Sequence, residues 1–221
     1  GCDSRGTQST ALLENDKWIV NGSKIFITNS ATPMTLGSTI QVITGENNGK
    51  PEFTTFLIEN DTEGFSQEPM HRKMMWRASN TGKLTFNNVE LPKENMLGKP
   101  GQGSHIMLAT LDGGRLSIAA MGLGCAQGAY EMALAYSQKR EQFGKQICKF
   151  QAVSFKLADM AMKIEAARCL LYKACRIKDA GLPYGKEAAM AKLYCSEVAA
   201  EVCDNAVQVM GGHGLLKDFN M

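Results

Sequence analysis

The chain changes its hydrophobic period once, at Gly98-Lys-Pro-Gly-Gln-Gly103. Before this stretch, short runs of β-branched and aromatic residues alternate with turn residues. The runs are Trp18-Ile-Val20, Lys24-Ile-Phe-Ile-Thr28, Ser38-Thr-Ile-Gln-Val-Ile-Thr44, Phe53-Thr-Thr-Phe-Leu-Ile58 and Lys83-Leu-Thr-Phe86. Asn15-Asp16, Asn21-Gly22 and Asn47-Asn-Gly49 lie between them and favour tight turns. Residues 1–98 are therefore expected to form an antiparallel β domain, sandwich or barrel. After the glycine-rich stretch, apolar residues recur at helical spacing: Leu108, Leu111, Leu116, Ile118, Met121, Leu123, Ala126, Ala129, Met132, Leu134. The pattern predicts helices over about 106–139, 150–180 and 186–210, the second ended by Gly181-Leu-Pro183 and the third by Gly211-Gly212. The fold class is α+β: a β domain followed by an antiparallel helical bundle over 99–221, with room for a fourth helix.

The first helical segment is unusually rich in glycine. Gly113, Gly114, Gly122, Gly124 and Gly128 each weaken it by up to about 1 kcal/mol relative to Ala. Their density implies close backbone approach, to another helix or to a ligand.

Composition removes several classes of function. The 221 residues suffice for one or two domains with a sizeable core. A net charge of +2 gives no reason to expect nucleic acid or an anionic membrane as partner. No apolar run approaches the ~20 residues of a membrane span. The seven Cys form no C-x-x-C pair and have no His-rich neighbourhood. Neither a metal site nor a disulfide framework is expected, and a reducing compartment fits.

Two segments carry the chemistry. Arg140-Glu-Gln-Phe-Gly-Lys-Gln-Ile147 places an Arg, a Gln, an aromatic and a Gly just past a long apolar helix. Gln208-Val-Met-Gly-Gly-His-Gly214 places a Gln one turn before a Gly-Gly pair. A guanidinium is a planar fork of donors suited to pyrophosphate. A Gln side chain offers a donor and an acceptor to adenine or ribose, and Gly-Gly lets backbone approach a ligand. Together they indicate a dinucleotide held by helix ends, although each alone also fits an ordinary solvated helix end.

Further segments follow in order along the chain: Asn21-Gly-Ser-Lys-Ile-Phe-Ile-Thr-Asn29, Met75-Trp-Arg-Ala-Ser-Asn-Thr81, Leu84-Thr-Phe-Asn-Asn-Val-Glu-Leu-Pro92, Glu94-Asn-Met-Leu-Gly98 and Leu111-Asp-Gly-Gly-Arg115. The ordered series resembles the acyl-CoA dehydrogenase family, in its short-chain, butyryl-CoA-like branch, over essentially the whole length. The resemblance implies a chain cut at both ends. The family's Glu-x-x-x-Gly-(Ser/Thr)-Asp-x-x-Gly signature is met only from Gly1-Cys2-Asp3-Ser4-Arg5-Gly6 onward. Its C-terminal signature stops soon after Gly214-Leu215 and Asp218.

The resemblance also implies the chemistry: removal of an α proton by a carboxylate and of a β hydrogen by the N5 of FAD, turning an acyl-CoA into its trans-2-enoyl-CoA. The carboxylate belongs to a Tyr-Glu-Gly segment that this sequence does not contain, so no catalytic base is expected here. Gly114 stands where some branches carry that Glu instead. Phe26, Ile27 and Thr28 correspond to the family's Trp-x-Thr beside the flavin ring. Phe26 keeps the flat apolar face but lacks an indole donor. Cys2 stands where a Ser or Thr contacts flavin or substrate, and Asp112 and Arg115 line the acyl-CoA channel. Arg140, Gln142, Phe143 and Gln151 reach the FAD of a neighbouring subunit, with Gln208, Gly211 and Gly212 holding its ADP part. The implied partners are acyl-CoA, an electron-transfer flavoprotein and further copies of the chain, as a dimer of dimers. The implied location is the cytoplasm, or the mitochondrial matrix in a eukaryote. An acyl-CoA oxidase, a flavin monooxygenase or a dimerising nucleotide-binding fragment are the alternatives. Glu131, Glu165, Glu187, Glu197 and Glu201 match no family base and read as solvated faces. His71, His105 and His213 are each isolated and read as surface or capping residues.

Overall fold

A computed structural model describes residue 3 and residues 5–219. The chain divides into two compact units, residues 1–109 and 110–221. The first is a seven-stranded sheet of β1 (Thr10–Glu14), β2 (Lys17–Thr28), β3 (Gly37–Asn47), β4 (Lys50–Glu59), β5 (Phe65–Pro69), β6 (Thr81–Pro92) and β7 (Met96–Leu97). The order is β5-β6-β2-β1-β3-β4-β7, antiparallel except for one parallel bridge between β1 and β3. β1 to β6 all contribute to one core, including Ala11, Trp18, Val20, Val42, Phe56, Phe65, Phe86 and Val89. The Trp18 and Phe56 rings lie 5.3 Å apart. Their strands are three places apart in the sheet, about 14 Å if it were flat, so the sheet curls around its core.

The turn residues act as the sequence indicates at two of three places. Asn15-Asp16 (φ +47, +69) joins β1 to β2, and Asn48-Gly49 (φ +52, +74) joins β3 to β4. Both are two-residue loops with left-handed φ at each position, which matches the twist of the strands they join. Asn21-Gly22 is a correction. It makes no turn: β2 runs through it with a register shift opposite β6. Gly22 has φ +126, and a Cβ there would sit 2.8 Å from the Ser9 Cα, so the glycine serves a close backbone approach. The Asn21 side chain donates to Asn88 Oδ1 and accepts from the Asn88 backbone N–H on β6.

The second unit holds most of α1 (Gly103–Lys139), with α2 (Gln151–Asp179) and α3 (Gly185–Met210). α2 returns against α1 and α3 against α2, so α1 and α3 run parallel. A Cβ on Gly122 would sit 3.0 Å from the Cys195 carbonyl oxygen, and Tyr136 on α1 bonds His213 just beyond α3. Leu116, Leu123 and Ala126 from α1 meet Leu157, Met160, Ile164 and Leu171 from α2 and Val198 and Val202 from α3. Each fully buried large side chain contributes roughly 1.5–3 kcal/mol. Of the five helical glycines, Gly122 lies against α3, Gly113 comes within van der Waals reach of the Tyr184 hydroxyl, and Gly114, Gly124 and Gly128 face open space. By length and composition alone, α1 is long and apolar enough to cross a bilayer, and in this fold its buried side chains belong to the bundle core.

Candidate functional site

The end of α1 passes directly into a small hairpin. β8 (Glu141–Gln142) pairs with β9 (Lys145–Gln146) around Phe143-Gly144, with φ +51 and +76. Arg140 ties helix to hairpin: its N–H donates to the Tyr136 carbonyl and its carbonyl accepts from Ile147 N–H, both at 2.9 Å. At the end of α3, Gly211 (φ +61) donates its N–H back to the Val207 and Gln208 carbonyls, and the chain continues as a 3-10 turn over Gly211–Leu215.

These two chain ends form one groove of about 510 Å³. Its polar lining is Tyr136, Arg140, Gln142, Gly211, Gly212 and His213, and its apolar lining is Ile147, Val209, Met210 and Leu216. The fold thus unites Arg140 and Gln142 with Gly211 and Gly212 across some seventy residues of sequence. Arg140 is exposed, and among the described residues no carboxylate pairs with it. A Cβ on Gly211 or Gly212 would meet no protein atom within 4 Å. An unpaired guanidinium beside approachable backbone is what a pyrophosphate requires, so these residues fit a dinucleotide.

Three expected members stand outside the groove's lining. Phe143 is 94% exposed at the hairpin tip, edge-on to Phe150 with the rings 6.1 Å apart. The Lys145 ammonium lies 4.3 Å from the centre of the Phe150 ring. Gln151 is the exposed first residue of α2, and Gln208 is exposed in the last turn of α3.

In the first unit, Phe26, Ile27 and Thr28 end β2. The pairing with β6 slips between Lys24 and Ile27, and Phe26 adopts φ +62. An aromatic in left-handed backbone is strained, and such strain persists where surroundings enforce it. Phe26 is 68% exposed and Thr28 is exposed, while Ile27 packs against the β core. An aromatic face and a hydroxyl are thereby presented together on the outer side. Lys24, just before the slip, has its pKa lowered by burial.

Asp112 and Arg115 form an ion pair one turn apart on α1, Oδ1 to Nη1 2.5 Å. A Cβ on Gly185, the first residue of α3, would lie 2.9 Å from Asp112 Oδ2, so the carboxylate sits against that helix start, where the macrodipole favours an anion. This pair lies at the opposite end of the bundle from Arg140, roughly 40 Å along α1 by the helical rise per residue. Cys2 lies outside the described residues.

Tyr136, which belongs to neither motif, joins His213 of the second motif at the groove. The Tyr136 hydroxyl and His213 Nδ1 lie 2.9 Å apart, and the His213 ring stands edge-on to Phe219 at 4.9 Å. His213 is therefore not isolated: it is half-buried against Tyr136, while its carbonyl accepts the Leu216 N–H at the end of the 3-10 turn. The available signal was Tyr136 four residues before Arg140, the spacing that puts two side chains on one helix face.

Residues 1–89 match the description acyl-CoA dehydrogenase, middle domain, and residues 101–221 match acyl-CoA dehydrogenase, C-terminal domain. The chain belongs to the acyl-CoA dehydrogenase family. It is 46% identical over 219 residues to the short-chain specific acyl-CoA dehydrogenase of Clostridium acetobutylicum, covering 99% of this chain and 57% of that protein. Among solved structures it superposes on the butyryl-CoA dehydrogenase of Megasphaera elsdenii with a TM-score of 0.93 at 44% identity, covering 99% of this chain and 57% of that one. A chain from work on the electron transferring flavoprotein of Acidaminococcus fermentans and flavin-based electron bifurcation gives 0.92 at 46%, with the same coverage. The chain thus spans a little over half the length of these family members.

Proposed function

We propose that this chain is part of a FAD-dependent enzyme that dehydrogenates a short-chain acyl-CoA to the trans-2-enoyl-CoA and passes the electrons to an electron-transfer flavoprotein. Family membership supports the reaction class. The short-chain and butyryl-CoA enzymes among its relatives support the acyl length, and the flavoprotein context of the Acidaminococcus fermentans chain supports the acceptor.

The observation that carries the reading is the groove. Arg140 holds pyrophosphate oxygens, the bare backbone of Gly211 and Gly212 leaves room for them to come close, and Gln142 in the lining, with Gln208 beside it in the last turn of α3, serves the adenosine end. FAD, when bound, supplies the acceptor for the β hydrogen. Phe26 packs against a flat ring system and Thr28 offers it a hydroxyl. Arg115 and Asp112 orient the substrate's acyl-CoA arm. Separation supports sharing between copies: a cofactor gripped at Arg140 is too far along α1 to meet a substrate at Arg115 of the same helix. A two-fold arrangement, in which one chain's groove serves the other's substrate end, removes the mismatch.

The test uses the full-length protein, purified with its flavin. Butyryl-CoA added without oxygen should bleach the flavin absorbance, and air should restore it slowly while product stays bound. Rapid recovery with formation of peroxide would make the enzyme an oxidase, and no bleaching by any short acyl-CoA would refute the reading.

A further inference from the structure

We infer that His213 is a direct phosphate ligand of the dinucleotide, held in its donor tautomer by Tyr136; this rests on the cofactor reading of the groove. A pyrophosphate diester carries two negative charges, and Arg140 is the one permanently charged side chain in the groove's lining. Gln142 gives one of its two amide N–H groups to the Glu141 carbonyl at 2.6 Å, and the other serves the adenosine end. With Gln142 assigned to the adenosine end, His213 is the lining side-chain nitrogen left for the second phosphate charge. Its Nδ1 lies 2.9 Å from the Tyr136 hydroxyl. The phenol can donate to or accept from Nδ1; in the donating arrangement, assigned here, a neutral imidazole carries its proton on Nε2. Among the described residues no protein group bonds Nε2. Two contacts fix the ring: Tyr136 comes from the last turn of α1, and the Phe219 ring packs edge-to-face with it, centres 4.9 Å apart. A solvated histidine needs neither a phenol at hydrogen-bond distance nor an aromatic ring against it, and this one has both beside an unpaired arginine. Tyr136 acts through His213 and is a positioning residue.

The experiment titrates FAD into the flavin-free full-length protein, with ADP as competitor. His213→Ala should weaken FAD and ADP alike, by roughly ten- to a hundredfold for a lost hydrogen bond to a charged group. His213→Gln, which keeps an amide donor, should recover much of the loss. Tyr136→Phe should weaken binding less, and should add nothing in the His213→Ala background. Phosphorus NMR of bound FAD should shift in His213→Ala while the flavin absorption spectrum stays that of wild type. Equal affinity in His213→Ala and wild type overturns the inference alone. So does a loss that Gln does not repair, or unshifted phosphorus resonances. A wild-type protein that binds no FAD overturns the cofactor reading, and this inference with it.

Discussion

Gly122 on α1 lies directly against the backbone of Cys195 on α3: a Cβ there would stand 3.0 Å from the Cys195 carbonyl oxygen. This is where the glycine-rich helix does require a missing side chain. Gly122→Ala gains helix propensity of up to about 1 kcal/mol but must push two helix backbones apart, and it should lower the melting temperature. Gly124→Ala and Gly128→Ala meet no atom within 4 Å and should raise it, each by up to about 1 kcal/mol of stability. Thermal melts of the three variants of this chain check the contrast. Equal effects at all three positions would show that Gly122 is not a packing residue.

Phe143 occupies a left-handed turn position that Asn fills with less strain. Its ring is almost wholly exposed, so the fold gains little from it. Phe143→Asn should leave the melting temperature unchanged or slightly higher, yet lower FAD retention by the full-length protein during gel filtration. Unchanged retention would remove Phe143 from the cofactor site.

Cys195 is fully buried, with its thiol donating to the Ala167 carbonyl at 3.6 Å, and burial pushes its pKa above the ordinary 9.0. The folded chain keeps a proton that the unfolded chain releases. Stability from this group is therefore complete below about pH 9 and falls as pH rises beyond it. Chemical denaturation at about pH 8 and about pH 10 should show a steeper loss in the natural chain than in Cys195→Ala. Iodoacetamide should label the exposed Cys125 and Cys169 well before Cys195, and mass spectrometry reads the order.

Gly114 is exposed with open space around it. Gly114→Glu should fold, with α1 strengthened by a few tenths of a kcal/mol up to about 1. In a full-length protein whose own catalytic Glu is changed to Gln, the new carboxylate should restore measurable dye-linked oxidation of butyryl-CoA. A folded, flavin-loaded double variant no faster than the single variant would mean that Gly114 does not face the reacting carbon, and would remove the argument for Asp112 and Arg115 as channel residues.

The helices were legible because their signals are local. Gly181-Leu-Pro183 and Gly211-Gly212 stop α2 and α3 within a residue or two of the expected places. β1 and β5 carry no such signal: Thr10–Glu14 and Phe65–Pro69 are short, and each buries a single residue, Ala11 and Phe65. Their pairing is decided by long-range partners, as is the continuity of β2 through Asn21-Gly22, where the Ser9 contact outweighs a strong turn signal. At the site, Arg140 and the two glycines stand out in the sequence as candidates, since guanidinium and bare backbone suit an anion. Their convergence was not readable, because it depends on α1 and α3 running parallel and ending at the same level. The left-handed backbone of Phe26 is equally invisible in sequence, since Phe-x-Thr in a strand demands no such geometry.

Sharing of one cofactor between two copies is tested most directly by mixing subunits. Full-length Arg140→Ala is impaired in the groove, and a full-length Thr28→Val variant is impaired beside the flavin ring. Co-refolded or co-expressed, they should form mixed dimers in which one of the two sites takes an intact groove from one chain and an intact Thr28 from the other. The account predicts FAD content and butyryl-CoA oxidation well above either variant alone, approaching half the wild-type level per mixed dimer. Activity no greater than the average of the two variants, in dimers shown by mass spectrometry to be mixed, would place groove and ring residues on the same chain's cofactor and contradict it.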